Sequence, residues 1–173
     1  RLYEPLGMPA TGHHESAADP ERMSSVFARE PGPKRSWRAR WRPGDRPTLP
    51  FVRGSGGLIS TARAHATFYQ MLLNGGTYNG QRILSQDAVR RMTSQQAKHG
   101  SGSNRYGYGL VVAPNNTSPH AGSFWHSGSD GTYSWANPKR GLTGILFTQS
   151  PVKEAKSIRL AFRKAVMAAV TDQ

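Results

Sequence analysis

Apolar and polar positions along the chain follow a helical rhythm in some stretches and a strand rhythm in others. Ala62 through Leu73 carries apolar residues at helical spacing. Ser60 stands where an N-cap is wanted and Asn74-Gly75-Gly76 supplies a stop, so a helix is predicted over 62–73. After the turn-rich segment Gly76-Thr-Tyr-Asn-Gly80, a shorter helix is predicted from Ser85 through Ala88, Val89 and Met92. Strands are predicted at Tyr106 to Val112, Gly122 to Ser127 and Thr132 to Ala136, the last running through Asn137-Pro-Lys-Arg-Gly141 into Leu142 to Gln149. Their short connections imply an antiparallel meander. Beyond Ser150-Pro151, the residues Ile158, Ala161, Phe162, Ala165, Ala169 and Val170 share one helical face. Lys156, Arg159, Arg163 and Lys164 fall mainly on the other, which predicts a long amphipathic C-terminal helix. Its apolar stripe is expected to lie across the sheet, since neither element buries its apolar face alone. The expected fold class is α+β: an antiparallel sheet of at least three strands packed by a long C-terminal helix, with additional helices.

Residues 1–50 lose these rhythms. They are rich in Pro, Gly and charge, and read as a loop-rich segment with at most one short helix, belonging to the same domain as 51–173. Lys98 to Asn104 is rich in Gly and Ser and reads as a mobile loop. A chain of 173 residues suits one core. It has no apolar run long enough to span a membrane, and Arg1-Leu-Tyr-Glu-Pro does not read as a signal peptide. It begins without Met inside what looks like a packed segment, so a missing N-terminal portion is expected. With no cysteine, disulfides and thiolate chemistry are excluded while the compartment stays open.

The formal charge of +13 and pI near 10.9 favour contact with polyanions. Pro33 to Arg46 interleaves cations with Trp37 and Trp41, a composition that grips single-stranded nucleic acid. The arginines fit no nucleic-acid fold signature, so a solvated surface loop whose tryptophans cover the core is the preferred reading. Nucleic acid is not expected as a partner.

Several motifs fail on physical grounds. No Gly-x-Ser-x-Gly pentad is present to hold a nucleophile on a strained strand-to-helix turn. His13-His14-Glu15 are adjacent, so their side chains diverge; they read as an exposed turn, and no metal is assigned. Gly54-Ser-Gly-Gly57 lacks the Walker lysine and the dinucleotide spacing. No cofactor is expected. The sequon-like Asn115-Asn-Thr-Ser118 decides nothing. Ser150-Pro-Val-Lys153 has Ser-x-x-Lys spacing, but Pro151 and Glu154 make Ser150 look like a helix cap.

What remains is Phe124-Trp-His-Ser-Gly-Ser-Asp-Gly-Thr-Tyr-Ser-Trp135, with one histidine, three serines and two glycines between aromatics. Together with Gly56-Gly-Leu-Ile-Ser-Thr-Ala, Met71-Leu-Leu-Asn-Gly-Gly and Arg82-Ile-Leu-Ser, in that order, it resembles the C-terminal half of serine β-lactamase-like hydrolases. The resemblance is to the branch of class C β-lactamases, family VIII carboxylesterases and D-alanyl-D-alanine peptidases. It runs from Leu2-Tyr-Glu-Pro-Leu-Gly-Met8 to the last helix and is loose over 12–50. It implies part of a β-lactamase/transpeptidase-like fold, a small ester or β-lactam as substrate, no cofactor, and a periplasmic or secreted setting as one option.

In that family a Ser-x-x-Lys helix carries the nucleophile, a Tyr-x-Asn loop adds a base and a Lys-Thr-Gly strand closes the site. The resemblance puts His126-Ser127-Gly128 on that strand, with the N–H of Ser129 as oxyanion donor and the side chains of His126 and Ser127 hydrogen-bonding the substrate or the Ser/Tyr network. The other two motifs are expected upstream of Arg1, in a missing N-terminal half that would be this chain's partner. An imidazole, with a reference pKa near 6.5 against about 10.4 for lysine, is mostly neutral at pH 7, which favours neutral esters over carboxylate-bearing substrates. A basic nucleic-acid- or anion-binding module and a catalytically silent complementing fragment are the alternatives, the latter suggested by the missing nucleophile and by the apolar strand Leu142 to Gln149, whose edge would otherwise stand open.

Overall fold

The structure, a computed structural model, describes residues 1–13, 20–32, 36–43, 45, 51, 54, 56–98, 105–114 and 120–170. In chain order its elements are β1 (Gly12–His13), β2 (Val26–Arg29), β3 (Trp37–Trp41), β4 (Leu58–Ile59), α1 (Ala62–Leu73), β5 (Thr77–Tyr78), β6 (Gln81–Arg82) and α2 (Gln86–Thr93). Then follow β7 (Ala97–Lys98), β8 (Arg105–Tyr106), β9 (Val111–Val112), β10 (Phe124–Ser127), β11 (Tyr133–Asn137), β12 (Leu142–Leu146) and α3 (Val152–Ala169). The expected antiparallel meander and long C-terminal helix are both present. Two compact units are formed: Arg1–Met8, Ala62–Ser127 and Tyr133–Ile145 make one, and Pro9–Thr61, Gly128–Thr132 and Leu146–Gln173 make the other.

The first unit is built on a sheet with strand order β12-β11-β10-β9-β8-β7. All five residues of β11 are buried, as befits a strand flanked on both sides. Trp135 is fully buried, and Gly144 on β12 leaves the space its indole occupies, since a Cβ there would strike the ring. Helix α1 buries Ala64, Tyr69, Met71 and Leu72, a stripe at helical spacing, into a core with Leu6, Met8, Val89, Leu110, Val112, Phe124 and Ala136. It ends as its sequence requires: Gly75 and Gly76 take positive φ (63° and 96°) and donate back to Leu72 O (3.1 Å) and Met71 O (2.9 Å). Ser85 caps α2 as predicted, accepting from Ala88 N at 3.1 Å.

The single strand predicted over 106–112 is in fact two short ones, β8 and β9. Gly107 presses against the Met92 carbonyl and donates to Leu110 O (2.9 Å), while Gly109 sits at φ 75°, so the chain bends between them. Lys98 ends β7, and the loop expected beyond it, 99–104, lies outside the described residues, as does the triplet region 115–118.

In the second unit the N-terminal stretch departs from the loop-rich expectation. β2 and β3 pair antiparallel, with Ala28 opposite Arg38 and Arg29 opposite Trp37. The sequence Trp37-Arg-Ala-Arg-Trp41 has the period-two alternation of a strand, which its charge obscured. His13, expected on an exposed turn, is instead buried in β1, where its Nε2–H donates to Gly56 O at 2.7 Å; His14 and Glu15 lie outside the described residues. Ser60 does not cap α1: its hydroxyl lies 2.7 Å from Thr11 Oγ1.

Helix α3 also differs in detail from its expectation. Its N-cap is Pro151, without a side-chain cap bond, and Ser150 uses its N–H on Asp130 O (2.9 Å). Ile158, expected inside, is 50% exposed, while Arg159, expected outside, is 9% exposed. The reason is a main-chain acceptor, Gly128 O, 3.0 Å from Arg159 Nη2. No helix among the described residues is long and apolar enough to cross a membrane.

A Cβ at Gly76 would meet the backbone of Leu84 in a conformation that L-residues rarely adopt. Gly76→Ala is therefore expected to destabilise by about 2–3 kcal/mol or more, and Gly12→Ala, with open space around it, by less than about 0.5 kcal/mol, both read from urea denaturation midpoints.

Candidate functional site

The hairpin β10–β11 carries the glycine-flanked cluster. Its register pairs Phe124 with Ala136, Trp125 with Trp135, His126 with Ser134 and Ser127 with Tyr133. Side chains alternate between sheet faces, so Phe124, His126, Ser134 and Ala136 share one face. Helix α1 covers the buried end of that face: the rings of Tyr69 and Phe124 stack with centroids 5.9 Å apart. Towards the strand end burial falls away, from Phe124 at 1% exposure to His126 and Ser127, both exposed.

Beneath His126 lies a polar cluster that the sequence reading missed. His65 and Tyr69 are four apart on α1 and so share a face. Tyr69 Oη donates to Ser134 O (3.3 Å), Ser134 Oγ donates to Tyr69 Oη (3.0 Å), and His65 Nε2 stands 3.0 Å from Ser134 Oγ. With the Ser134 proton committed to Tyr69, the consistent assignment has neutral His65 donating from Nε2. Burial, and then the nearby His126, hold the His65 pKa below its ordinary value. The Tyr69 phenol is pushed up to about 12, chiefly by burial, although Ser134 and the main chain of His126 pull it the other way. Its hydroxyl therefore stays protonated, as its bond to the Ser134 carbonyl requires. A Tyr/His pair one helical turn apart, followed far along the chain by a serine opposite the strand histidine, is the signal that would have revealed the cluster.

After Ser127 the chain enters the turn Gly128–Thr132. Gly128 N–H donates to Thr132 O (2.9 Å) and Gly131 N–H to Gly128 O (3.3 Å). Thr148 Oγ1 donates to Gly131 O (2.8 Å), and Ser150 N–H to Asp130 O (2.9 Å). Gly131 has φ 100°, and a Cβ there would meet Ser150 O and Thr148 Oγ1, so the turn needs glycine at that place. Ser129 is exposed, and among the described residues its N–H has no acceptor. The four predicted site residues thus follow one another over a strand end and a tight turn, three exposed and Gly128 half-buried. In the Trp/Arg stretch, Trp37, expected to cover the core, is 50% exposed, with Arg29 over its ring at 5.3 Å.

Because the fold keeps His65 neutral, its stability is expected to fall with acid. Below the unfolded-state value near pH 6.5 the unfolded chain binds a proton that the folded chain resists, at a cost of at most about 1.4 kcal/mol per pH unit. Thermal melts at about pH 7.5 and pH 5.5 should show the loss, and His65→Gln, which keeps a donor for Ser134 but does not titrate, should flatten it.

The profile of the Beta-lactamase family matches residues 1–168. Protein Rv1367c of Mycobacterium tuberculosis (strain ATCC 25618 / H37Rv) is 29% identical over 144 residues, 78% of this chain and 36% of that protein. Among solved structures, the LovD9 mutant of simvastatin synthase from Aspergillus terreus aligns with a TM-score of 0.74 at 17% identity, covering 97% of this chain and 47% of that one. The octameric penicillin-binding protein homologue from Pyrococcus abyssi gives 0.65 at 21%, covering 95% and 36%. EstCE1, a hydrolase with promiscuous acyltransferase activity, gives 0.65 at 18%, covering 87% and 44%. At these identities the structures speak for the fold. The chain spans about a third of the curated relative's length and under half of each solved chain.

Proposed function

Since the chain belongs to the Beta-lactamase family, whose members are β-lactamase-like serine hydrolases, we propose that it supplies one wall of an acyl-transfer site for small neutral esters. The observation that carries this reading is the exposed strand end His126-Ser127, followed directly by a turn whose Ser129 N–H has no acceptor among the described residues. A nucleophilic serine, with its Ser-x-x-Lys lysine, comes from polypeptide outside this chain. Its oxygen adds to the ester carbonyl, and the oxyanion so formed accepts a hydrogen bond from Ser129 N–H. The proton given up by the serine passes through that lysine to the alcohol as collapse expels it, and water then adds to the acyl-enzyme ester, releasing the acid and returning a proton to the serine. His126 and Ser127 hydrogen-bond the substrate beside the reacting carbonyl. With histidine at the place where the resemblance puts the lysine of a Lys-Thr-Gly strand, the wall lacks a permanent cation, which favours neutral esters over β-lactam carboxylates. The place of β12 at the end of the sheet order suits a strand donated by the same outside polypeptide.

The test uses the protein that unites this chain with the segment bearing the nucleophile. Hydrolysis of p-nitrophenyl acetate should exceed that of nitrocefin, and His126→Ala should lower kcat/KM for the ester by about 10- to 100-fold, or about 1.4–2.7 kcal/mol. Undiminished turnover in the variant would remove His126 from the site.

A further inference from the structure

Gly128 O is held by two donors, Gly131 N–H at 3.3 Å and Arg159 Nη2 at 3.0 Å. Arg159 reaches it from α3, one turn beyond the buried Ala155, and is itself 9% exposed. Desolvating a guanidinium is costly, so its burial on a turn carbonyl calls for a reason. The peptide bond supplies one. Gly128 O and Ser129 N–H belong to the same planar unit, and none of the described peptide bonds is cis. In a trans peptide the carbonyl and the N–H point in opposite directions, so fixing the one aims the other. A cationic donor on the oxygen also draws electron density along the amide and makes its N–H a stronger donor.

We propose that Arg159 is a positioning residue that orients and polarises the Gly128–Ser129 peptide so that the Ser129 N–H is presented ready-made to an oxyanion; this rests on the reading of Ser129 given above. Within the turn that oxygen is met by the long 3.3 Å bond from Gly131 N–H, which opposes rotation of the peptide plane weakly. The guanidinium removes the flipped conformer by holding the oxygen. The burial of Arg159, expected on the polar face of α3, thus goes with a bond to the main chain at Gly128, the first residue of the turn that follows β10.

The experiment compares Ser129→Pro, Arg159→Met and Arg159→Lys in the protein that carries the nucleophile, reading p-nitrophenyl acetate kinetics and the Ser129 amide resonance in 15N–1H spectra. Ser129→Pro deletes the N–H and should lower kcat by about 10²- to 10³-fold. Arg159→Met should lower kcat by about 10- to 50-fold with KM within about twofold, and should shift the Ser129 resonance; Arg159→Lys should restore part of both. Should Arg159→Met not fold, Arg159→Lys carries the same comparison with a smaller loss. Full turnover in Ser129→Pro overturns the oxyanion reading itself. Normal kcat in the Arg159 variants beside a crippled Ser129→Pro, or a Ser129 resonance that does not move, overturns the Arg159 assignment alone.

Discussion

The contact on which the sheet-bearing unit turns is the one between Tyr69 and Ser134. It does two jobs with one side chain: the ring packs on Phe124 in the apolar core, and the hydroxyl exchanges hydrogen bonds with the Ser134 side chain and carbonyl. A buried phenol without partners would cost a few kcal/mol, and a buried serine somewhat less, so each satisfies the other. The geometry is correspondingly narrow. Sliding α1 by one residue, or the β10–β11 register by one, would bury two unpaired hydroxyls, and the register is what places His126 opposite Ser134 at the exposed strand end.

Much of this fold was legible in the sequence, for reasons that can be named. The Ala62–Leu73 helix combined a helical stripe with an Asn-Gly-Gly stop, two independent signals that agree. The hairpin at 124–137 and the last helix were likewise strong local patterns. What escaped were elements whose local signal was overridden. β3 reads as a strand by alternation, yet four of its five residues are Trp or Arg, which invited a reading by composition instead. Gly107 and Gly109 broke a predicted strand through a close approach to Met92 that no local window contains. The order of His126, Ser127, Gly128 and Ser129 along the chain was visible at once. The cluster of His65, Tyr69 and Ser134 on the His126 face of the sheet was not, because Ser134 meets its partners on α1 across 65 or more positions of chain.

The strand end and the turn are fixed by different physical means. His126 and Ser127 are held by a ladder of main-chain bonds to β11, whose own residues are buried throughout, so their precision derives from the core. The turn Gly128–Thr132 has little apolar burial to lean on. It is held by steric exclusion at Gly131 and by hydrogen bonds from Thr148, Ser150 and Arg159. Hydrogen bonds are the more directional of the two, which is what an N–H donor needs and a packing contact does not supply.

That division bears on how a family can change substrate without changing fold. If the oxyanion is met by a main-chain N–H, the step that needs the most exact placement is insulated from substitution, since every residue but proline carries the donor. Position 126 is then released to govern what binds beside the reacting carbonyl. A lysine there commits the wall to an anionic neighbour, because an ammonium beside an uncharged ester is a charge desolvated for no return. A histidine makes no such commitment and still offers a donor or an acceptor through its two ring nitrogens. On the proposed reading a histidine at 126 would alter the substrate class and leave the oxyanion peptide as it is. The buried Arg159 holds the Gly128 carbonyl from α3, so the anchor of that peptide does not depend on which side chain stands at position 126.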